Sequence, residues 1–500
     1  MISKLKVIAV MIAAGCLSAC GGGSSKDQIN QLPGSGQSAP AIDEAYQGIW
    51  ASSAYGDVLV VDDNSALYYR YTSDYCILQD SFDELSTAEL TRSVALNNSE
   101  DALEWFAGSG TREFHAPTRQ LDKVSQLPAS CASDPLTVES DMSHQELFAL
   151  YSQIMAEYYV DFARMNVDWP ALSYAQETQI TEQDTTLYEA VYQTLLPLAD
   201  SHNSWVAADG TIIRAYTKPV HTTNLIEEYA LANGLSYPLQ DSELNNAIVA
   251  DIESYIDNAL GQEINIIMGY ATSDIGQDAS EQIAWFAINN IGYLRIDAMH
   301  NYSTADEDSD DLAQTTSNLN NLNQALDEAL TDLAATDGLI IDVRYNGGGN
   351  DYISLAIASR FTESEFLAYK KYARDGAGVT ATQTAYIAPS QYVNYTGKPV
   401  ALLVSNDTAS AAETFSLSMQ QLPHVTLVGE ATHGIFSDIM QWVLPGEHEL
   451  GISNEVYLSP DDEWYEGVGV PVDVNVPFFS LSDRTQGVDS AIDAALEVLQ

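Results

Sequence analysis

A chain of 500 residues with 19 basic and 71 acidic side chains has a formal net charge of −52, which excludes nucleic-acid binding, since phosphate neutralisation needs a basic surface. The acidity is spread along the chain, which predicts a solvated surface suited to a salty habitat and weak encounter with acidic substrates at low ionic strength. The length allows several domains.

Residues 1–19 read as a secretory signal, with Lys4 and Lys6 ahead of an apolar run from Val7 to Ala14. Leu17-Ser18-Ala19-Cys20 then reads as a bacterial lipobox. Cys20 would carry the lipid, and the apolar run is too short to span a bilayer. Residues 20–42 form a flexible tether rich in glycine and serine. The expectation is an exported protein, lipid-anchored to a bacterial membrane, on the periplasmic or surface side of an outer membrane. Cys16 leaves with the signal, so Cys76 and Cys131 remain as a natural disulfide pair in an oxidising compartment.

Between 43 and 135, short aromatic and β-branched runs such as Val58-Leu-Val-Val alternate with turn residues, predicting a small antiparallel β domain. From 136 to 210 the period changes. Leu147, Leu150, Tyr151, Ile154, Met155, Tyr158 and Phe162 mark one face of an amphipathic helix. Residues 211–290 read as an insertion of unclear fold with helical patches such as Leu244 to Leu260. From 291 to 500 strand and helix alternate, predicting an α/β core.

Two turns in this last region carry chemistry. Gly338-Leu-Ile-Ile runs into Asp342-Val-Arg-Tyr-Asn-Gly347-Gly348-Gly349, a strand feeding a glycine turn whose N–H groups suit an anion. Pro399-Val-Ala-Leu-Leu-Val404 runs into Asp407-Thr-Ala-Ser410-Ala-Ala-Glu413, which places a serine at a helix start. Together they suggest acyl transfer through an oxyanion. Alone, Ser410-x-x-Glu413 equally fits a capping box, as does Ser143-x-x-Glu146. No C-x-x-C, no H-E-x-x-H and no histidine cluster at ligand spacing occurs, so no catalytic metal or cofactor is expected. The absence of G-x-S-x-G disfavours an ordinary α/β-hydrolase.

The combination resembles the superfamily of C-terminal processing peptidases, tricorn core proteases and interphotoreceptor retinoid-binding proteins. That resemblance implies a multidomain α+β protein with a ClpP/crotonase-like α/β spiral core. It makes Ser410 the nucleophile, with oxyanion donors from the glycine turn (Gly347, Gly348) and from the N–H of Ala411. The processing peptidases use a Ser–Lys dyad, but Ile435 stands where their lysine would fall and no lysine follows Lys398. The tricorn-like branch instead pairs the nucleophile with an upstream Ser-His and a downstream glutamate. Leu198-Ala-Asp200-Ser201-His202 and Trp464-Tyr-Glu466-Gly-Val-Gly match those segments. His202 is then the general base, with Ser201 and Glu466 orienting and stabilising it. His433 is the rival base, and the other histidines (His115, His144, His221, His300, His424, His448) read as structural. The region of the family's peptide-binding PDZ domain has no recognisable carboxylate-binding turn here. The expected function is a serine endopeptidase acting on peptides or unfolded proteins; the alternatives are a non-catalytic ligand- or peptide-binding protein on the same scaffold and an esterase using the same site.

Overall fold

The computed structural model describes residues 41–105, 119–181, 183–215, 218, 220–240, 242–304 and 311–500. The signal, Cys20, most of the tether and His115 lie outside the described residues. The N-terminal sheet is antiparallel, built from β1 (Gly48–Ser52), β2 (Asp57–Val61), β3 (Ala66–Tyr71), β4 (Cys76–Phe82), β5 (Val94–Leu96), β6 (Ala102–Trp105) and β7 (Arg119–Val124). Its order is β4-β3-β2-β1-β7-β6-β5. Alternate residues of β3 are buried, as expected for a strand with one face on a core. The sheet docks on the rest of the chain through Gln79, whose side chain bonds the main-chain N–H and C=O of Val443, each at 2.9 Å.

Cys76 and Cys131 form the expected disulfide, 55 residues apart in sequence. In the chain-entropy account, a loop of this length stabilises the fold by about 4 kcal/mol. Replacing both cysteines with serine is expected to lower unfolding stability by about that amount. An unchanged denaturation midpoint would mean that the bond contributes nothing.

Three helices follow: α1 (His144–Tyr158), α2 (Trp169–Glu177) and α3 (Asp184–Leu195). Ser143 opens α1 with a complete capping box, its hydroxyl accepting from Glu146 N while Glu146 accepts from Ser143 N. The predicted face of α1 is buried from Leu147 to Tyr158, and Phe162 packs against the same cluster. That cluster also holds Trp205, Trp442, Leu450 and Ile452. The helices therefore cover a sheet made from distant parts of the chain. β8 (Ser204–Val206) and β9 (Ile212–Arg214) join β19 (Ile439–Leu444) and β20 (His448–Ser453) in the order β19-β20-β8-β9. Residues 136–210 and the C-terminal region share one hydrophobic core.

In 211–290, α4 (His221–Ala232) and α5 (Asn246–Gly269) pack on each other through Leu225, Tyr229, Ile252 and Ile256. A helical pair therefore occupies this inserted stretch. The central sheet runs β10 (Gly276–Gln277), β11 (Ile283–Ile288), β12 (Ile291–Ile296), β13 (Gly338–Asp342), β17 (Val400–Val404), β18 (Val425–Gly429) and β22 (Val474–Asn475). From β12 to β22 the pairings are parallel. Leu339 and Ile341 of β13 pack with α6 (Asp311–Asp332), α7 (Asp351–Ala358) and α8 (Ala411–Gln420) on one face. Ile340, between them, packs on the other face with Ile267 of α5 and Ile492 of α10 (Ser490–Val498), which follows α9 (Leu481–Gln486). Burial on both faces is why β13 and β17 are continuous apolar runs. A separate antiparallel sheet joins β14 (Phe366–Asp375), β15 (Gly378–Val379), β16 (Gln383–Ile387) and β21 (Glu455–Leu458).

Candidate active site

In an open parallel sheet, functional groups collect at the C-terminal strand ends. Here β13 and β17 are neighbours, and the turns that leave them are hydrogen-bonded together. Ser405 Oγ donates to Arg344 O at 2.6 Å, Thr408 Oγ1 to Val343 O at 2.9 Å and Ala409 N to Asn346 O at 3.1 Å. The glycine turn is itself fixed by a buried ion network. Arg344 reaches Asp342 at 2.6 Å and Asp489 at 2.8 Å, and Tyr293 Oη donates to Asp342 at 2.6 Å.

Ser410 closes the second turn with φ 53° and ψ −124°. Positive φ costs a side-chain-bearing residue about 1–3 kcal/mol and persists only where surrounding contacts impose it. Those contacts come from Glu413, buried one helical turn on. Its carboxylate accepts from Ser410 N (3.2 Å), Thr432 Oγ1 (2.6 Å), Gly434 N (2.6 Å) and Ile435 N (2.8 Å). Burial pushes this carboxyl up to about 7 despite those donors. The Ser410 hydroxyl makes no cap bond. Ser143 and Ser410 thus share a sequence pattern, but only the first uses its hydroxyl to cap a helix.

Gly348 is pressed against the serine. With φ +105°, a Cβ on it would lie 2.7 Å from Ser410 Cβ and 3.0 Å from Ala411 N. Its own N–H donates to Asn346 Oδ1 at 2.9 Å. Gly348 therefore allows close approach of the two turns, and its N–H is held by Asn346. Ala411 is the first residue of α8, where an N–H has no partner within the helix. Gly347 is buried in the same turn.

His202 lies beyond α3, immediately before β8. Asp200 Oδ1 accepts from its backbone N at 3.0 Å, and Asn203 Oδ1 accepts from Ser453 N at 3.1 Å. The turn is thereby fastened to β20. The His202 side chain is buried, and neither Nδ1 nor Nε2 has a close hydrogen-bond partner. Burial and the Arg214 charge push its pKa down to about 4, against the opposing effects of Asp438 and of the Ser437 backbone. Ser201 is buried beside it.

His433 follows β18 and is bonded to the nucleophile turn. Its N donates to Thr408 O at 2.8 Å, and its Nδ1 lies 2.9 Å from Asn406 O. A carbonyl only accepts, so Nδ1 carries the proton and Nε2 the lone pair in the neutral ring. Burial lowers its pKa to about 4 as well, and the charge of His202 contributes. The two histidines are thus within electrostatic reach of each other, and neither ring is hydrogen-bonded to Ser410.

Glu466 is buried between the two halves. Its Oε2 accepts from Phe436 N at 2.9 Å. Burial raises its pKa well above the usual carboxylate value, reinforced by Asp200 and then Glu413. Its carboxyl is thus held by the loop after β18 and makes no hydrogen bond to the imidazole. Ile435 is buried, an apolar residue in the loop where the Ser–Lys relatives carry their base. One participant had no signal in the sequence. Lys218 Nζ donates to Thr432 O (3.1 Å), Val468 O (3.3 Å) and His433 O, tying the inserted segment to both site loops. A single lysine in an unpatterned stretch gives no cue to such a role.

A family model for peptidase family S41 matches residues 290–476. A carboxyl-terminal-processing protease from Synechocystis is 30% identical over 167 residues, covering 33% of this chain and 37% of that protein. The chain thus matches little more than a third of that relative's length. A crystal structure of a candidate peptidase from Parabacteroides merdae superposes with a TM-score of 0.53 at 22% identity, covering 72% of this chain and 97% of that one. That likeness extends the shared fold well beyond the S41 match. The S41 region contains Ser410, the glycine turn, His433 and Glu466, whereas His202 and Lys218 come from outside it.

Proposed function

We propose that this protein is a serine endopeptidase that cleaves peptides or unfolded proteins through an acyl-enzyme on Ser410, with His202 as general base. The observation that carries this reading is the strained backbone of Ser410, whose hydroxyl is left out of the helix cap. Strain of this kind is retained where a site needs a side chain held in one place. His202, neutral near pH 7 and without close partners on its ring, suits the proton transfer.

In the attack, Ser410 Oγ bonds to the substrate carbonyl carbon as its proton passes to His202. The N–H of Ala411, at the open start of α8, is the donor for the developing oxyanion. Collapse breaks the C–N bond, and the same proton leaves on the amine; water then repeats the sequence on the ester. Because the His202 pKa is lowered, its basic form is complete at neutral pH. Turnover is expected to fall only as the pH drops towards about 4. An acid limb near the ordinary histidine value of about 6.5 would point to another base.

An ester substrate with a chromogenic leaving group tests this function. A burst equal to the enzyme concentration, with cleavage of a denatured protein, is expected. No burst and no cleavage, with peptides still bound, would favour a binding protein instead.

We further infer that Cys20 carries a lipid anchor. No helix among the described residues is long and apolar enough to cross a membrane. Cys20→Ala should therefore release the protein into the soluble fraction. Retention in the membrane after a high-salt wash would contradict the anchor.

A further inference from the structure

A base whose pKa lies near 4 needs help to hold the proton it takes from serine. Glu466 is bonded to Phe436 N, and Asp200 to the backbone of His202 itself. A different carboxylate meets the geometric requirement. In the sheet β19-β20-β8-β9, Ile439 pairs with Ser453 and Ser204 pairs with Gly451. Asp438 and His202 therefore leave the same end of this sheet, on either side of Ser453–Asn454.

Asp438 is built into place. Its Oδ2 accepts from Lys371 Nζ at 2.9 Å, and the buried Lys371 is held in turn by Glu455 (3.0 Å) and Tyr457 Oη (3.3 Å). The Asp438 side chain remains 46% exposed, unlike the fully buried Glu455. The surrounding protein pushes its carboxyl up, but Lys371 and neighbouring hydrogen bonds more than offset this, so Asp438 stays charged.

We propose that Asp438, tethered by Lys371, is the positioning carboxylate of this site and stabilises the His202 imidazolium formed during acyl transfer. The proposal rests on His202 being the base. Asp438 exchanges no proton: Ser410 gives its proton to His202, and His202 passes it to the leaving amine. The charged groups acting on the ring are Arg214 from β9, which disfavours the imidazolium, and Asp438 from the segment before β19, which favours it. His433, from the loop after β18, is neutral at pH 7.

The test is the pH profile of kcat/KM for the full chain carrying Asp438→Asn, Asp438→Glu, Glu466→Gln or His202→Ala, with folding checked by thermal unfolding. Asp438→Asn should lower the plateau roughly 10²-fold, as loss of one electrostatic contact to a developing charge does. It should also move the acid limb to lower pH, because removing the anion makes His202 harder to protonate. Asp438→Glu should restore both in part, and Glu466→Gln should leave the acid limb in place. Asp438→Ser carries the same test if the amide variant fails to fold. An unmoved acid limb in folded Asp438→Asn, with His202→Ala inactive, would overturn this proposal alone. Retained activity in His202→Ala would overturn the assignment of the base.

Discussion

Ser410→Ala is expected to abolish peptidase turnover, by about 10⁶-fold if the nucleophile behaves as one member of a cooperating unit, while leaving the fold intact. The Ser410 hydroxyl holds no cap bond, and serine and alanine bear the same strain at φ 53°. Thermal stability should therefore change by less than about 1 kcal/mol. Ser410→Gly separates the loss of the hydroxyl from the backbone strain. Glycine adopts positive φ without steric cost, so this variant should be equally inactive but no less stable than the parent. Differential scanning calorimetry beside peptide hydrolysis measures both effects. A large loss of stability with activity per folded molecule retained would make Ser410 a structural residue.

His202→Ala is expected to lower turnover by roughly 10⁴-fold or more, and His433→Ala to cost far less. The two rings share burial, a pKa near 4 and proximity, so only their contacts separate them. His433 is anchored through Nδ1 to Asn406 O and through its backbone to Thr408 O, as part of the scaffold of the nucleophile turn. His202 has both ring nitrogens without a close partner, which a buried imidazole tolerates where a substrate or nucleophile supplies the missing bond. Steady-state kinetics of the two variants decide the matter. The reverse pattern would move the base into the loop after β18.

The α/β core was legible because its strands are buried on both faces. Val400 to Val404 and Gly338 to Ile341 are apolar at every position, and each ends in residues that only a turn accommodates. The amphipathic face of α1 was equally plain, since its period is local. What the chain hid was non-local. Nothing near Ser204 announces that it pairs with Gly451, nor near Gln79 that it bonds Val443. Those contacts determine that the segment bearing His202 shares a core with β19 and β20. The motif Ser-x-x-Glu was misleading for a related reason: at Ser143 and Ser410 it is the same string, and only the backbone angle and the loop around Glu413 distinguish a capping hydroxyl from one left out of the cap. The D-x-R-x-N-G-G-G pattern located the glycine turn, but the side chain of Asn346 decides which of its N–H groups is committed.

Ser410 as an activated nucleophile with His202 as its base makes a chemical prediction. The most direct measurement is labelling of the folded full-length protein with a serine-reactive fluorophosphonate, followed by mass-spectrometric mapping of the modified peptide. One modification per chain is expected, on Ser410, at a rate that collapses in His202→Ala and persists in His433→Ala. Modification of a different serine, or labelling of Ser410 at full rate without His202, would contradict it.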